Sequence, residues 1–383
     1  MSHFSNIVRG SLLMSAVALI SSTAAGARAQ QFIPNIIISS TIPQNGDTNP
    51  YGVAFVPRGF PSGGPLAPGD ILVSNFNNSA GTQGTGTTII KLTPNGLVAP
   101  SGSAVTFFQG TPQPLLGLTT ALGVLQRGFV LVGNVPTSMS AGGTLTIQPG
   151  SLLILDRTGK KVVATLTNQL NDPWDLTIDD DFDHATVFVS NVNNTTTPQM
   201  NGTVTRLTLA ISDSAVTVTS TTVIAKGYTV EPNGPALVLG PTGLAHDEST
   251  DTLYVASTAD NAIFAVPKAS TRTGPPSGTG TGTIIFQDDH LRGPLALVLA
   301  PNGDLITSNG DAVNPDPTQP SEIVEFTKRG KFVSQFNVDA APGGAFGIGV
   351  APIRLGLGTF RLAAVDDNAN DIIVIDQNLV PGN

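Results

Sequence analysis

Apolar residues recur along the chain in short bursts bounded by Gly, Pro, Asn and Asp, the pattern of strands and turns rather than of helices. Beyond residue 29 no segment carries a 3.6-residue apolar period. The bursts belong to a module that returns six times. Its opening strand reads Pro50-Tyr51-Gly52-Val53-Ala54-Phe55, and again over 118–125, Pro173-Trp174-Asp175-Leu176, Pro241-Thr242-Gly243-Leu244, Pro294-Leu295-Ala296-Leu297 and Phe346-Gly347-Ile348-Gly349, roughly 50 to 70 residues apart. Its second strand ends on a small residue and then a polar one. The copies are Leu72-Val73-Ser74-Asn75, Leu131-Val132-Gly133-Asn134, Phe188-Val189-Ser190-Asn191, Tyr254-Val255-Ala256-Ser257, Ile306-Thr307-Ser308-Asn309 and Ala363-Ala364-Val365-Asp366. A third strand running into a turn is clear at 89–96, 152–159, 323–330 and 372–378, and a fourth strand follows.

A lone four-stranded sheet cannot cover both its faces, whereas six in a ring cover one another and leave no free end. The pattern therefore predicts an all-β, six-bladed β-propeller with four-stranded blades. The last module runs out after three strands, and residues 32–40 (FIPNIIISS) are a spare strand at the other end. That strand is expected to close the ring as the outer strand of blade six. The stretch 241–266, with Pro-Thr-Gly-Leu-Ala-His-Asp, then Asp-Thr-Leu-Tyr-Val-Ala-Ser, then Asp-Asn-Ala-Ile-Phe-Ala-Val, resembles an NHL repeat. The chain is more distantly similar to the propeller group of SMP-30/gluconolactonase-like lactonases.

Residues 1–29 read as a cleaved secretory signal: Arg9, an apolar run over 11–20, and Ala27-Arg28-Ala29 before the cut. The run is too short to span a bilayer. Residues 30–383 are then one propeller domain, exported to a periplasmic or extracellular setting, with no membrane span and expected as a monomer. The formal charge of −9 becomes −11 without Arg9 and Arg28, so phosphate backbones are repelled and nucleic acid is not an expected partner. With no cysteine, thiolate chemistry and zinc–thiolate sites are excluded, and stability must come from the core. Asp outnumbers Glu by 23 to 4, as suits turns. The Gly/Thr/Ser/Pro-rich stretches 79–88, 136–150, 195–201 and 270–283 read as flexible surface loops.

Candidate chemistry lies at two kinds of position. The six strand-end residues Asn75, Asn134, Asn191, Ser257, Asn309 and Asp366 should form a ring at one mouth of the axial channel. Oxygens so placed suit a hard cation such as Ca or Mg, with Asn191, Asn309 and Asp366 the candidate metal ligands, or they cap backbone where the strand ends. Departures from the repeat form the second kind. Asp175 stands where four other copies have Gly or Ala, beside Trp174, the single tryptophan, and a carboxylate with an indole can hold a cation or a sugar. The other reading has Trp174 packing between blades and Asp175 bonding backbone. His290 and Arg292, just before the fifth opening strand, are further channel candidates, His290 as a base, a metal ligand or a solvated loop residue. Asp179-Asp180-Asp181-Phe182-Asp183 looks calcium-like but occupies a hairpin turn and lacks the Gly and Glu of an EF-hand, so it reads as a solvated turn.

The lactonase resemblance implies a divalent metal held by a Glu on the first inner strand plus Asn and Asp from other blades. Here that strand begins Asn49-Pro50-Tyr51-Gly52, and the glutamates are Glu231, Glu248, Glu322 and Glu325, none of them on an inner strand by this pattern. The His/Glu pair of propeller lyases and the nucleophile-elbow and phosphate-loop motifs are also missing. The expected function is a non-catalytic module binding a protein, small molecule or carbohydrate, with no certain cofactor. The alternative is a metal-dependent hydrolase or lyase acting on a small lactone or sugar acid.

Overall fold

The computed structural model describes residues 34–94, 96, 98–111, 115–193, 197–310, 318, 320–354 and 359–378; the signal reading at 1–29 lies outside them. Residues Asn35–Asn383 form one unit, and its described part is a six-bladed propeller. Blade 1 is Thr48–Phe55, Ile71–Asn77, Thr88–Leu92 and Val105–Gln109, inner strand first. Blade 2 is Leu118–Leu125, Phe129–Asn134, Ser151–Asp156 and Val162–Leu166. Blade 3 is Pro173–Asp181, His184–Asn191, Gln199–Ile211 and Val216–Asn233, with Leu237–Leu239 as a short fifth strand that the repeat did not foretell. Blade 4 is Pro241–Asp247, Thr252–Ser257, Ala262–Pro267 and Thr283–Phe286, and blade 5 is Pro294–Leu299, Leu305–Asn309, Glu322–Phe326 and Phe332–Asn337. Blade 6 is Ala345–Arg354, Thr359–Asp366 and Asp371–Asn378, completed by Ile36–Ser40. The closing strand runs antiparallel, with Ile36 opposite Ile375 and Ser40 opposite Asp371, as the spare strand led us to expect.

The core is a set of slabs, one at each joint between blades. Val130, Val132 and Leu153 meet Leu72, Ile89 and Phe108 between blades 1 and 2, and Phe188, Val204 and Tyr228 meet Leu244, Leu253 and Val255 between blades 3 and 4. Each fully buried aliphatic side chain contributes about 1.5–3 kcal/mol, so a ring this regular needs no staple. One stretch expected as a loop is ordered: Thr137–Met139 pairs with Leu145–Ile147, because Thr137 bonds Gly84 O through its N–H at 2.8 Å and Ile147 packs on the core.

Every inner strand bulges near its start. Pro50 faces Asn75 and Val53 faces Val73, and the same slip recurs at Pro173/Leu176, Pro241/Leu244, Pro294/Leu297 and Ala345/Ile348; blade 2 carries one residue more, at Leu118/Leu122. The extra residues turn side chains and carbonyls toward the axis. A Cβ on Gly347 would fall 2.0 Å from Tyr51 O, and one on Gly243 2.3 Å from Leu297 N, so only glycine allows the strands this approach.

The polar groups exposed by the bulges are joined blade to blade by hydroxyls. Ser74 Oγ accepts Gly52 N–H at 2.9 Å and donates to Thr119 O of blade 2 at 2.7 Å. Thr119 Oγ1 donates to Pro173 O of blade 3 at 3.0 Å. Ser190 Oγ then accepts Asp175 N–H at 3.0 Å and donates to Thr242 O of blade 4 at 2.7 Å, and Thr242 Oγ1 reaches Pro294 O of blade 5 at 3.2 Å. Ser308 Oγ repeats the step into blade 6, accepting Ala296 N–H and donating to Phe346 O. The small residue of the strand-end motif is therefore the interblade link in blades 1, 3 and 5, and a bulge threonine serves in blades 2 and 4. Blade 6 has Val365 and Phe346 at these positions, and its joint to blade 1 is made by Asn370 instead. Asn370 Oδ1 accepts Asn49 N–H at 2.8 Å, and Asn370 O accepts Thr41 Oγ1 at 2.8 Å.

Candidate functional site

The bulge gives each inner strand two successive positions near the axis, and they do different work. The first carries Tyr51, Trp174, Leu295 and Phe346 in blades 1, 3, 5 and 6, all buried in one cluster. Tyr51 stacks on Phe76 at 5.2 Å between ring centroids, and meets Phe346 at 4.8 Å and Trp174 at 6.0 Å edge to face. Val135 and Val192, just past the second strands of blades 2 and 3, and Val230 and Val238 of the outer strands of blade 3 join the same cluster. Loops of three blades lie together there: Thr137 Oγ1 and Gln83 Nε2 donate to Gln83 O and Pro235 O respectively. An apolar plug thus fills the axis where the inner strands begin.

Beyond the plug the axis opens into a cavity of about 350 Å³, lined by all six inner strands. Asp175 lies at the plugged end, in the second bulge position, where blades 1, 4, 5 and 6 carry Gly52, Gly243, Ala296 and Gly347. Its Oδ1 accepts Leu176 N–H at 2.7 Å, and the N–H of Leu244 in blade 4 faces the carboxylate. Burial pushes its pKa well above the usual carboxylate range, and the two N–H groups only partly offset this. Asp175 thus bonds neighbouring backbone and lines the channel. Trp174 does not line it; the indole is fully buried in the plug, with Nε1 lacking a hydrogen-bond partner.

His246 escaped the sequence reading. It sits on the inner strand of blade 4 at a position that is Phe55, Val124, Ile178, Leu299 and Val350 in the other copies, and that departure was the signal available. Its imidazole is turned into the joint with blade 3, with the side chain only 3% exposed. Nδ1 lies 2.7 Å from Asp179 Oδ2, an ion-pair distance at an angle unsuited to a hydrogen bond, and Nε2 is 3.3 Å from Asp251 Oδ1. Burial pulls the His246 pKa down, but the two carboxylates outweigh it and the net shift is upward. The acidic turn of blade 3 is accordingly no mere solvated turn. Asp179 faces His246, Asp180 accepts Gln126 N–H at 2.6 Å, and Asp183 pairs with Arg127, so each ties blade 3 to a neighbour.

The other expected site residues lie apart from the cavity. His290 and Arg292 are outside its lining, because the loop before blade 5 carries His290 onto Phe332, with ring centroids at 3.8 Å, and its Nδ1 onto Asp288 at 3.1 Å. Arg292 donates to Leu291 O. The strand-end ring is buried and caps the connections. Asn134 Oδ1 accepts Gly117 N–H, Asn191 Oδ1 accepts Asn171 N–H, Asn309 Nδ2 donates to His290 O, and Asp366 Oδ1 accepts Ala369 N–H. Among the described residues no group of three or more His, Asp or Glu is arranged to hold a metal ion, and Asp175 is the one carboxylate lining the cavity. A divalent cation asks for six or more oxygens, so these residues do not fit one in the channel.

No family model matches the chain, and no curated protein matches it. Solved structures with the same architecture do. A glucose dehydrogenase is 15% identical over 90% of this chain and 100% of its own, with a TM-score of 0.49. A gluconolactonase from Xanthomonas campestris is 14% identical over 89% of each chain, with a TM-score of 0.45. A catalytically inactive variant of virginiamycin B lyase from Staphylococcus aureus, solved with quinupristin, is 11% identical over 90% of this chain and 100% of its own, with a TM-score of 0.44. At these identities no residue can be carried from one chain to the other.

Proposed function

We propose that the chain is an exported, non-catalytic binding propeller that takes a small molecule into its axial channel from the side opposite the plug. The observation that supports this is a pocket closed at one end by the plug, lined by both apolar and polar groups and carrying one carboxyl at its floor. The test is a thermal-shift screen of small molecules against the wild type and Leu299→Trp, which enlarges a residue of the cavity wall. Ligands of the channel stabilise the wild type and lose their effect in the variant. A screen whose every hit is indifferent to Leu299→Trp refutes the reading.

A second reading is an enzyme, a hydrolase or lyase of a small lactone or sugar acid; the metal that the lactonase resemblance implies finds no fitting ligand set in the channel, so the chemistry would rest on Asp175. One observation favours catalysis: the raised pKa of Asp175 lets its carboxyl hold or release a proton nearer neutrality, as a general acid or base must. Turnover of a lactone panel with and without Ca or Mg, abolished in Asp175→Asn, would establish it. No turnover under either condition would remove it.

A further inference from the structure

We infer that the ligand of the channel is a small organic monocation, a primary or secondary amine with a short apolar body, whose ammonium group seats on Asp175. This rests on the channel reading above and adds the chemistry of the ligand. The argument begins with what the floor can offer. The bulge N–H groups of Gly52, Asp175 and Ala296 already bond serine hydroxyls, and the carbonyls of Thr119, Pro173, Thr242, Pro294 and Phe346 already accept hydroxyls. Thr120 Oγ1 is likewise engaged, with Trp174 O. Of the lining side chains left to orient a guest, Thr177 and Asp175, only the Asp175 carboxylate can carry a charge. Two N–H donors occupy part of it, and a carboxylate offers about four lone-pair sites, so acceptor capacity remains.

The charge argument points the same way. No Lys or Arg lines the cavity; His246 does line it, but its imidazole faces Asp179 and Asp251. Asp175 therefore stands in the channel with no Lys or Arg as its counter-charge, which a bound ammonium would supply. The walls, with Phe55, Leu122, Val124, Ile178, Leu299 and Val350, suit an alkyl or aryl body. A sugar acid would bring its carboxylate against that of Asp175. The net charge of −9 also draws cations toward the protein.

The test uses pentylamine, pentan-1-ol and pentanoate as probes, titrated calorimetrically into the wild type, Asp175→Asn and Leu299→Trp. We expect pentylamine to bind the wild type at least tenfold tighter than pentan-1-ol, pentanoate not to bind, and the amine to lose at least tenfold in Asp175→Asn. Pentan-1-ol or pentanoate binding as well as the amine, or the amine binding Asp175→Asn unchanged, overturns the cation inference; the channel reading survives if Leu299→Trp still abolishes binding. If no probe shows binding sensitive to Leu299→Trp, both fall. Should Asp175→Asn fail to fold, the three probes on the wild type decide alone.

Discussion

Ser190→Ala is the sharpest test of how the ring is held. Ser190 Oγ is fully buried, accepts the Asp175 N–H at 3.0 Å and donates to Thr242 O at 2.7 Å, so one atom satisfies two backbone groups on two blades. Alanine keeps the Cβ and leaves no cavity large enough for the packing loss to dominate. What it removes is the partner of a buried N–H and of a buried C=O, and each orphaned group costs about 1–3 kcal/mol. Partial relaxation places the expected loss at about 2–4 kcal/mol, a large share of a stability on the order of 5–15 kcal/mol. Equilibrium urea unfolding measures it as a lower midpoint at unchanged slope. The exposed Ser214→Ala serves as control and should stay within about 0.5 kcal/mol of wild type. Ser308→Ala should match Ser190→Ala, because its Oγ makes the same pair of bonds two joints further round. If Ser190→Ala is as mild as the control, the hydroxyl chain does not hold the blades together.

Stability should fall as pH rises from about 5 to 8. Burial with the Asp339 carboxylate pushes Asp366 up to about 6, burial with Asp366 pushes Asp367 up to about 7, and the net shift of His246 is upward. Each raised folded pKa gives stability that is complete below the unfolded value, about 4 for a carboxyl and 6.5 for imidazole, and is lost as pH climbs through the folded value. A Tm that is flat or rising over this window contradicts these shifts. Asp366→Asn, which restores the residue found in four other copies and keeps an oxygen for Ala369 N–H, should raise Tm at pH 8 and flatten the slope; a lower Tm would show that the negative charge itself is needed. Trp174→Ala should cost about 3–5 kcal/mol, read by circular dichroism because the single tryptophan is gone, and a near-neutral result would mean the plug is loosely packed.

The number of blades, the strand order and the closing strand were all legible because repetition amplifies a weak signal: six poor copies of one strand pair say more than any one of them. The interblade links were less legible because attention goes to the larger polar residue. Asn75, Asn191 and Asn309 look like the chemistry of the strand end, yet they cap connections, and the serine before each one carries the bond to the next blade. The alternation was present in the copies, Ser74, Ser190 and Ser308 against Gly133, Ala256 and Val365, with Thr119 and Thr242 supplying hydroxyls in blades 2 and 4. The placement of His290 was not legible, since it depends on a turn that no repeat constrains.

A ring gives each copy nearly the same surroundings, so a side chain that breaks the repeat must find a partner that the repeat does not provide. Asp175 finds the N–H of Leu244 across the joint, His246 finds Asp179 and Asp251, and Trp174 finds Tyr51 and Phe76 in the plug. For His246 and Trp174 the partners are enough to account for the departure. The imidazole is enclosed by two carboxylates, and the indole by aromatic rings. Asp175 differs because its partners are neutral N–H donors that leave its charge uncompensated at the floor of a cavity. Packing alone would have been served by the Gly or Ala of the other copies, so the carboxyl is the one departure in the channel that the fold does not require, and a guest of opposite charge is what would balance it.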